Sequence, residues 1–121
     1  MENESLFEGF YLAYTTGLQG NGVIMLIVMG GKIIGSDVMG VLFDGNYTPT
    51  HDGRGFDATI KITAPAGQTL IQGVTTGPSG LSYEVKAFFP PDLESLDYLK
   101  IATPFGSINA RFKKLRGLND A

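Results

Sequence analysis

The sequence predicts an all-β fold, an antiparallel up-and-down β-barrel of about eight strands, and three observations carry that reading. Short stretches alternate apolar and polar residues with period two, glycine-rich turns separate them at spacings that suit hairpins, and no long helical periodicity interrupts them. Closure into a barrel is expected over an open sandwich, because short loops favour an up-and-down order and closure removes the edge strands that so apolar a sheet would expose. The 121 residues read as one domain, residues 1–121, long enough to bury about two thirds of the surface of the unfolded chain.

The centre of the pattern is Gly20 to Tyr47. Val23 to Met29 is continuously apolar and rich in β-branched residues, too short to span a membrane as a helix, and Gly30-Gly31 closes it with a pair suited to a two-residue hairpin turn. Lys32 to Gly35 is the expected return strand, Ser36-Asp37 the next turn, and Val41, Phe43, Gly45 and Tyr47 alternate against Leu42, Asp44, Asn46 and Thr48 in the strand after it.

Before this meander, Leu6 to Thr16 reads as the first strand, with Phe10, Leu12 and Tyr14 on one face and Phe7, Tyr11 and Ala13 on the other. After it, Pro49 to Gly55 is a polar loop and Phe56 to Thr63 the cleanest strand: Phe56, Ala58, Ile60 and Ile62 point inward, Asp57, Thr59 and Lys61 outward. Gln68 to Val74 is a weaker expected strand. Leu81 to Phe89 alternates again, and Pro90-Pro91 stops it. Asp92 to Leu96 forms at most one helical turn, with Asp92 placed to cap it. Leu99 to Ala102 and Ile108 to Leu115 complete the strands, the last with Ile108, Ala110 and Phe112 inward, and the tail RGLNDA is expected to fray.

Composition narrows the function. The chain has no cysteine, which removes disulfides, thiol nucleophiles and cysteine metal sites, and it has one histidine, His51, beside Asp52 in a glycine-rich loop. Adjacent loop residues do not by themselves converge on a substrate, so no catalytic residue, metal site or cofactor is expected. The aspartates at turns commonly bond their own backbone. GNG at Gly20 to Gly22 and GGKIIG at Gly30 to Gly35 lie between strands, where no helix N-terminus receives a phosphate. A formal charge of −3 argues against a duplex-binding protein, although Arg111, Lys113, Lys114 and Arg116 cluster near the C-terminus. The acidic N-terminus lacks the features of a signal peptide and no run reaches the roughly 20 apolar residues of a membrane helix, so a cytoplasmic location is expected.

Strands one and two are apolar on both faces, unlike a strand with a wet outer face. Either face chosen for the barrel leaves large apolar side chains outside. A homodimer is therefore expected, built on Phe10 and Leu12 of the first strand and Ile24, Leu26 and Val28 of the second, or on Val23, Met25 and Ile27 if that face points outward.

EGFY (Glu8 to Tyr11), GNGV (Gly20 to Val23), GGKIIGSD (Gly30 to Asp37) and FDGNY (Phe43 to Tyr47), with SINARFKKL (Ser107 to Leu115) as a final strand, resemble the GrlR-type negative regulators of type III secretion. The likeness covers most of the chain through short glycine and aromatic motifs. It implies a lipocalin-like barrel that forms a homodimer and binds a protein, a transcriptional activator, without catalysis. In that family an acidic loop after the aromatic-glycine strand holds the activator. Here the corresponding loop is TPTHDGRG, with Thr50, His51, Asp52 and Arg54 as the expected partner-binding residues, so the fold carries over while the partner need not. The competing reading is a carrier of a small apolar ligand in the barrel interior. Large side chains closing the core at Phe56, Ile60, Tyr83, Val85 and Phe112 exclude it, and a cavity between Ala58, Ala87 and Ala110 favours it.

Overall fold

The computed structural model describes residues 6–118; of the tail expected to fray, Arg116 instead belongs to the last strand, and residues 119–121 lie outside the described residues. Eight antiparallel strands follow one another: β1 (Gly9–Gly17), β2 (Gly20–Met29), β3 (Lys32–Asp37), β4 (Leu42–Pro49), β5 (Phe56–Ala64), β6 (Leu81–Phe89), β7 (Leu99–Ile101) and β8 (Ile108–Arg116). Their order in the sheet is β6-β5-β4-β3-β2-β1-β8-β7, a meander whose first strand pairs with its last. This is the expected up-and-down barrel, nearly closed. Hydrogen-bonded pairing stops at β6 and β7, which meet along a seam without a ladder.

Local chemistry sets the hairpins. Gly30 and Gly31 both take positive φ, 58° and 82°, the backbone a tight two-residue turn between right-twisted strands demands. The Glu8 carboxylate accepts a hydrogen bond from the Gly30 N–H at 2.6 Å and pins this turn to the start of β1. Ser36 and Asp37, expected as a turn, instead extend β3. The turn lies at Val38–Gly40, because Asp37 Oδ1 accepts from the N–H groups of Met39 and Val41 at 2.9 and 3.0 Å, an Asx arrangement that bends the chain one residue later.

Two further expectations are corrected. Gln68 to Val74 forms no strand; Thr69 and Thr75 make one isolated bridge, and Gly67 and Gly73 at positive φ fold the segment into a loop. Asp92 does not cap with its side chain the 3-10 turn Leu93–Ser95; its carbonyl accepts from Ser95 Oγ at 2.7 Å instead. The first strand also begins later than expected, at Gly9, with Leu6 and Phe7 in a preceding helical turn.

Period two survives folding wherever one face is dry. Along β5 Phe56, Ala58, Ile60, Ile62 and Ala64 are buried while Asp57 and Lys61 are exposed. Each large apolar side chain so placed contributes about 1.5–3 kcal/mol relative to its exposed state. At one end of the barrel Phe7 stacks on Phe56 with ring centroids 4.6 Å apart and meets Tyr47 edge-on at 5.2 Å and Phe89 at 5.6 Å. The Tyr11 hydroxyl donates to the Phe7 carbonyl, and the buried Leu93 completes this plug.

The seam is tied by one side chain. Gln72, buried in the β5–β6 loop, donates from Nε2 to the Tyr83 hydroxyl of β6 at 3.0 Å and to Thr103 Oγ1, just beyond β7, at 3.3 Å; Tyr83 and Phe105 pack edge to face across the same line. Gln72→Leu keeps the volume and removes both bonds. It is expected to cost about 1–3 kcal/mol in chemical denaturation and to speed amide exchange along β6. A variant as stable as the parent would mean that ring packing alone holds the seam.

Candidate functional site

The side chains with room to act lie in three places: the outer face of β1–β3, the β4–β5 loop and the mouth opposite the aromatic plug.

The register of β1 and β2 decides which apolar face is outside. Tyr11, Ala13 and Thr15 point into the barrel, and so do Ile24, Leu26 and Val28; Leu26 is 8% and Val28 3% exposed. The expected interface set Ile24, Leu26 and Val28 is thereby corrected, because these side chains fill the barrel and the alternate set faces out. Phe10 and Leu12 keep the outward position expected of them, half-buried against their neighbours. Across the β1–β2 ladder Phe10 lies opposite Ile27, Leu12 opposite Met25 and Tyr14 opposite Val23, and Ile34 of β3 lies opposite Ile27 on the other side. Met25 is 53% exposed. The result is a continuous apolar outer face across three strands.

Charge borders this face unevenly. On the β8 side Arg111 pairs in register with Tyr14, Lys113 with Leu12 and Arg116 with Phe10, with Glu94 beside Tyr14 and Arg111; on the other side Lys32 of β3 and Asp44 of β4 border the face, Asp44 lying between Ile34 and Lys61. The 3-10 turn Leu93–Ser95 packs against the plugged end: Glu94 Oε1 accepts from the Lys114 N–H at 2.7 Å, and Leu93 sits with Phe7, Tyr11 and Phe112. There, burial pushes the Tyr11 phenol far above its ordinary range, with the Glu94 charge adding to the effect, so it stays a donor to Phe7.

The loop holding Thr50, His51, Asp52 and Arg54 is built by its own polar groups. Thr50 Oγ1 donates to Asp52 Oδ1 at 2.7 Å, and the Arg54 N–H reaches Asp52 Oδ1 at 3.0 Å. The Thr50 bond first and the Arg54 N–H second hold the Asp52 carboxyl below its usual range. The Arg54 guanidinium is 3.9 Å from the second Asp52 oxygen in a fully solvated pair. Asp52 is thus spent on the turn, and His51 and the Arg54 side chain stand exposed on a fixed backbone. The four expected residues are together in space, with the His51 ring and the Arg54 guanidinium outermost.

The barrel interior is filled. Ala58 and Ala87 do face each other across β5 and β6, but the large neighbours close around them, leaving an apolar void of about 50 Å³ and another of about 10 Å³. Ligand chambers run from roughly 300 Å³ upward. Sequence reasoning overlooked the mouth opposite the plug, where the β5–β6 loop crosses the sheet ends: the Gln19 N–H donates to the Ile71 carbonyl at 2.8 Å and Gln68 Nε2 to the Met39 carbonyl at 2.6 Å, enclosing a cavity of about 330 Å³. The signal for it is the long segment between β5 and β6, of which Gln68 to Val74 reads as a weaker strand.

Among the described residues no group of three or more His, Cys, Asp or Glu stands close enough to hold a metal ion, and no helix is long and apolar enough to cross a membrane. Comparison with protein-family models, with curated proteins and with solved structures returns no match.

Proposed function

We propose that this chain is a non-catalytic regulatory barrel that works by binding protein: a second copy of itself through the outer face of β1–β3, and a protein partner through the loop at Thr50, His51, Asp52 and Arg54. By the resemblance to GrlR-type regulators, that partner is a transcriptional activator and the barrel a negative regulator; the cytoplasmic location proposed for it rests on the sequence features given above. The single observation that carries the reading is the apolar outer face of Phe10, Leu12, Tyr14, Val23, Met25 and Ile27, a surface that in a soluble monomer would sit in water. A two-fold axis serves it with one patch used twice.

The loop's exposed His51 and Arg54 favour an acidic segment on the partner, the reverse of an acidic loop holding a basic one. The carrier of an apolar ligand along the barrel axis is disfavoured by the filled interior.

Sedimentation at micromolar concentration tests the reading. The parent is expected at twice the chain mass, and Met25→Lys combined with Ile27→Lys at the single-chain mass, still folded, because both side chains point away from the core. A parent that sediments as a monomer would overturn it.

A further inference from the structure

The geometry points to a second site, for a small neutral amphipathic molecule, in the mouth under the β5–β6 loop. It goes beyond the protein-binding reading, and of the outer-face residues Phe10, Leu12, Tyr14, Val23, Met25 and Ile27 it uses Val23 alone.

Three features argue for it. The first is size and place: the cavity of about 330 Å³ lies at a barrel mouth, where ligand sites concentrate, and it shares Thr15, Ile24, Phe43, Ile62 and Ile108 with the apolar void of about 50 Å³ beneath. A molecule on the order of fifteen to twenty heavy atoms fits such a space at ordinary packing density. Its apolar end would face the barrel.

The second is a polar group at that space. Tyr83 lines the cavity, and its hydroxyl accepts from Gln72 Nε2, which leaves its own hydrogen for an acceptor on the ligand. Burial raises the Tyr83 pKa, with the Gln72 bond working the other way, so the phenol stays protonated and can donate.

The third is charge. Among the described residues Asp37 is the one carboxyl in the lining, and no Lys, Arg or His of these residues lines it to meet an anionic head. A fatty-acid carboxylate would be held beside Asp37 without a counter-charge, which makes it a poor occupant. A compact aromatic or branched molecule ending in a ketone, ether or hydroxyl fits all three features.

Titration with the neutral ketone dye Prodan tests this on the full chain. Blue-shifted emission is expected to saturate at one dye per chain in the micromolar range. Ile24→Trp fills the shared floor and is expected to weaken binding at least tenfold. Met39→Trp, at the exposed rim, narrows the mouth without touching the core and should weaken it several-fold even if Ile24→Trp folds poorly. Tyr83→Phe should weaken Prodan several-fold, and Met25→Lys should leave it unchanged. No saturable emission change at tens of micromolar dye would overturn the proposal. So would loss of binding in Met25→Lys with retention in Met39→Trp, which puts the dye on the outer face, or displacement of Prodan by palmitate at lower concentration than by a neutral naphthyl ketone.

Discussion

Phe7→Ala is expected to lower the unfolding free energy by about 2–4 kcal/mol, and the melting temperature by roughly 10 °C. The ring sits before β1 begins, yet it lies face to face with Phe56 at 4.6 Å and edge-on to Tyr47 at 5.2 Å, so its removal opens one end of the barrel to water. The aromatic pairs add about 0.5–1.5 kcal/mol each beyond burial, which is why Phe7→Leu should recover only part of the loss. The Tyr11 hydroxyl reports the same change, since its acceptor is the Phe7 carbonyl and the turn that presents it is held by the ring. Urea unfolding of the three proteins decides the matter. A loss below about 1 kcal/mol for Phe7→Ala would mean that the plug is carried by Leu93 and the β-strand aromatics alone.

Gly35→Ala is expected to cost about 1–3 kcal/mol and to reduce the yield of folded protein. Gly35 lies in β3 opposite Leu26, and a Cβ there would stand 2.4 Å from Leu26 Cδ2 and 2.6 Å from the Met25 carbonyl oxygen. The side-chain clash can relax by a rotamer change. The carbonyl belongs to the neighbouring strand and cannot move without disturbing its ladder. Combining Gly35→Ala with Leu26→Ala therefore separates the two contributions: if the double variant loses about the sum of the single losses, the backbone oxygen is the obstacle, and if Leu26→Ala rescues Gly35→Ala, the leucine is. A Gly35→Ala protein as stable as the parent would show that the β2–β3 pair has slack at this point.

The parts of the fold legible in the sequence were those where one face is wet. β5 and β6 follow the expected alternation closely, because Asp57, Lys61, Glu84 and Lys86 mark the outer face unambiguously. On β2 the same logic could not choose, since both faces of Val23–Met29 are apolar and a one-residue slip looks equally good; the choice is made by Gly9, Tyr11 and Ala13 of β1 and by Ile33 of β3, which fix the inner layer through pairing. Gln68 to Val74 misled because a short apolar-polar alternation also suits a loop whose Leu70 and Gln72 turn inward. The loop at Thr50 to Arg54 was placed correctly, but what Asp52 does there depends on hydrogen bonds within the turn that composition does not encode. The mouth cavity was invisible for a related reason: it is made by contacts between three loops distant in sequence.

The pairing of β1 with β8 has a consequence for how the protein is made. Every other ladder joins strands close along the chain, but this one closes a loop on the order of a hundred residues. During synthesis the meander from β1 to β6 can assemble while β8 is still being added, and through that interval β1 presents a bare edge beside its apolar inner row. Refolding should accordingly be governed by a late docking step that joins the two ends of the sheet, slow in proportion to its sequence separation. A cell producing this chain would face its greatest risk of aggregation just before the last strand arrives.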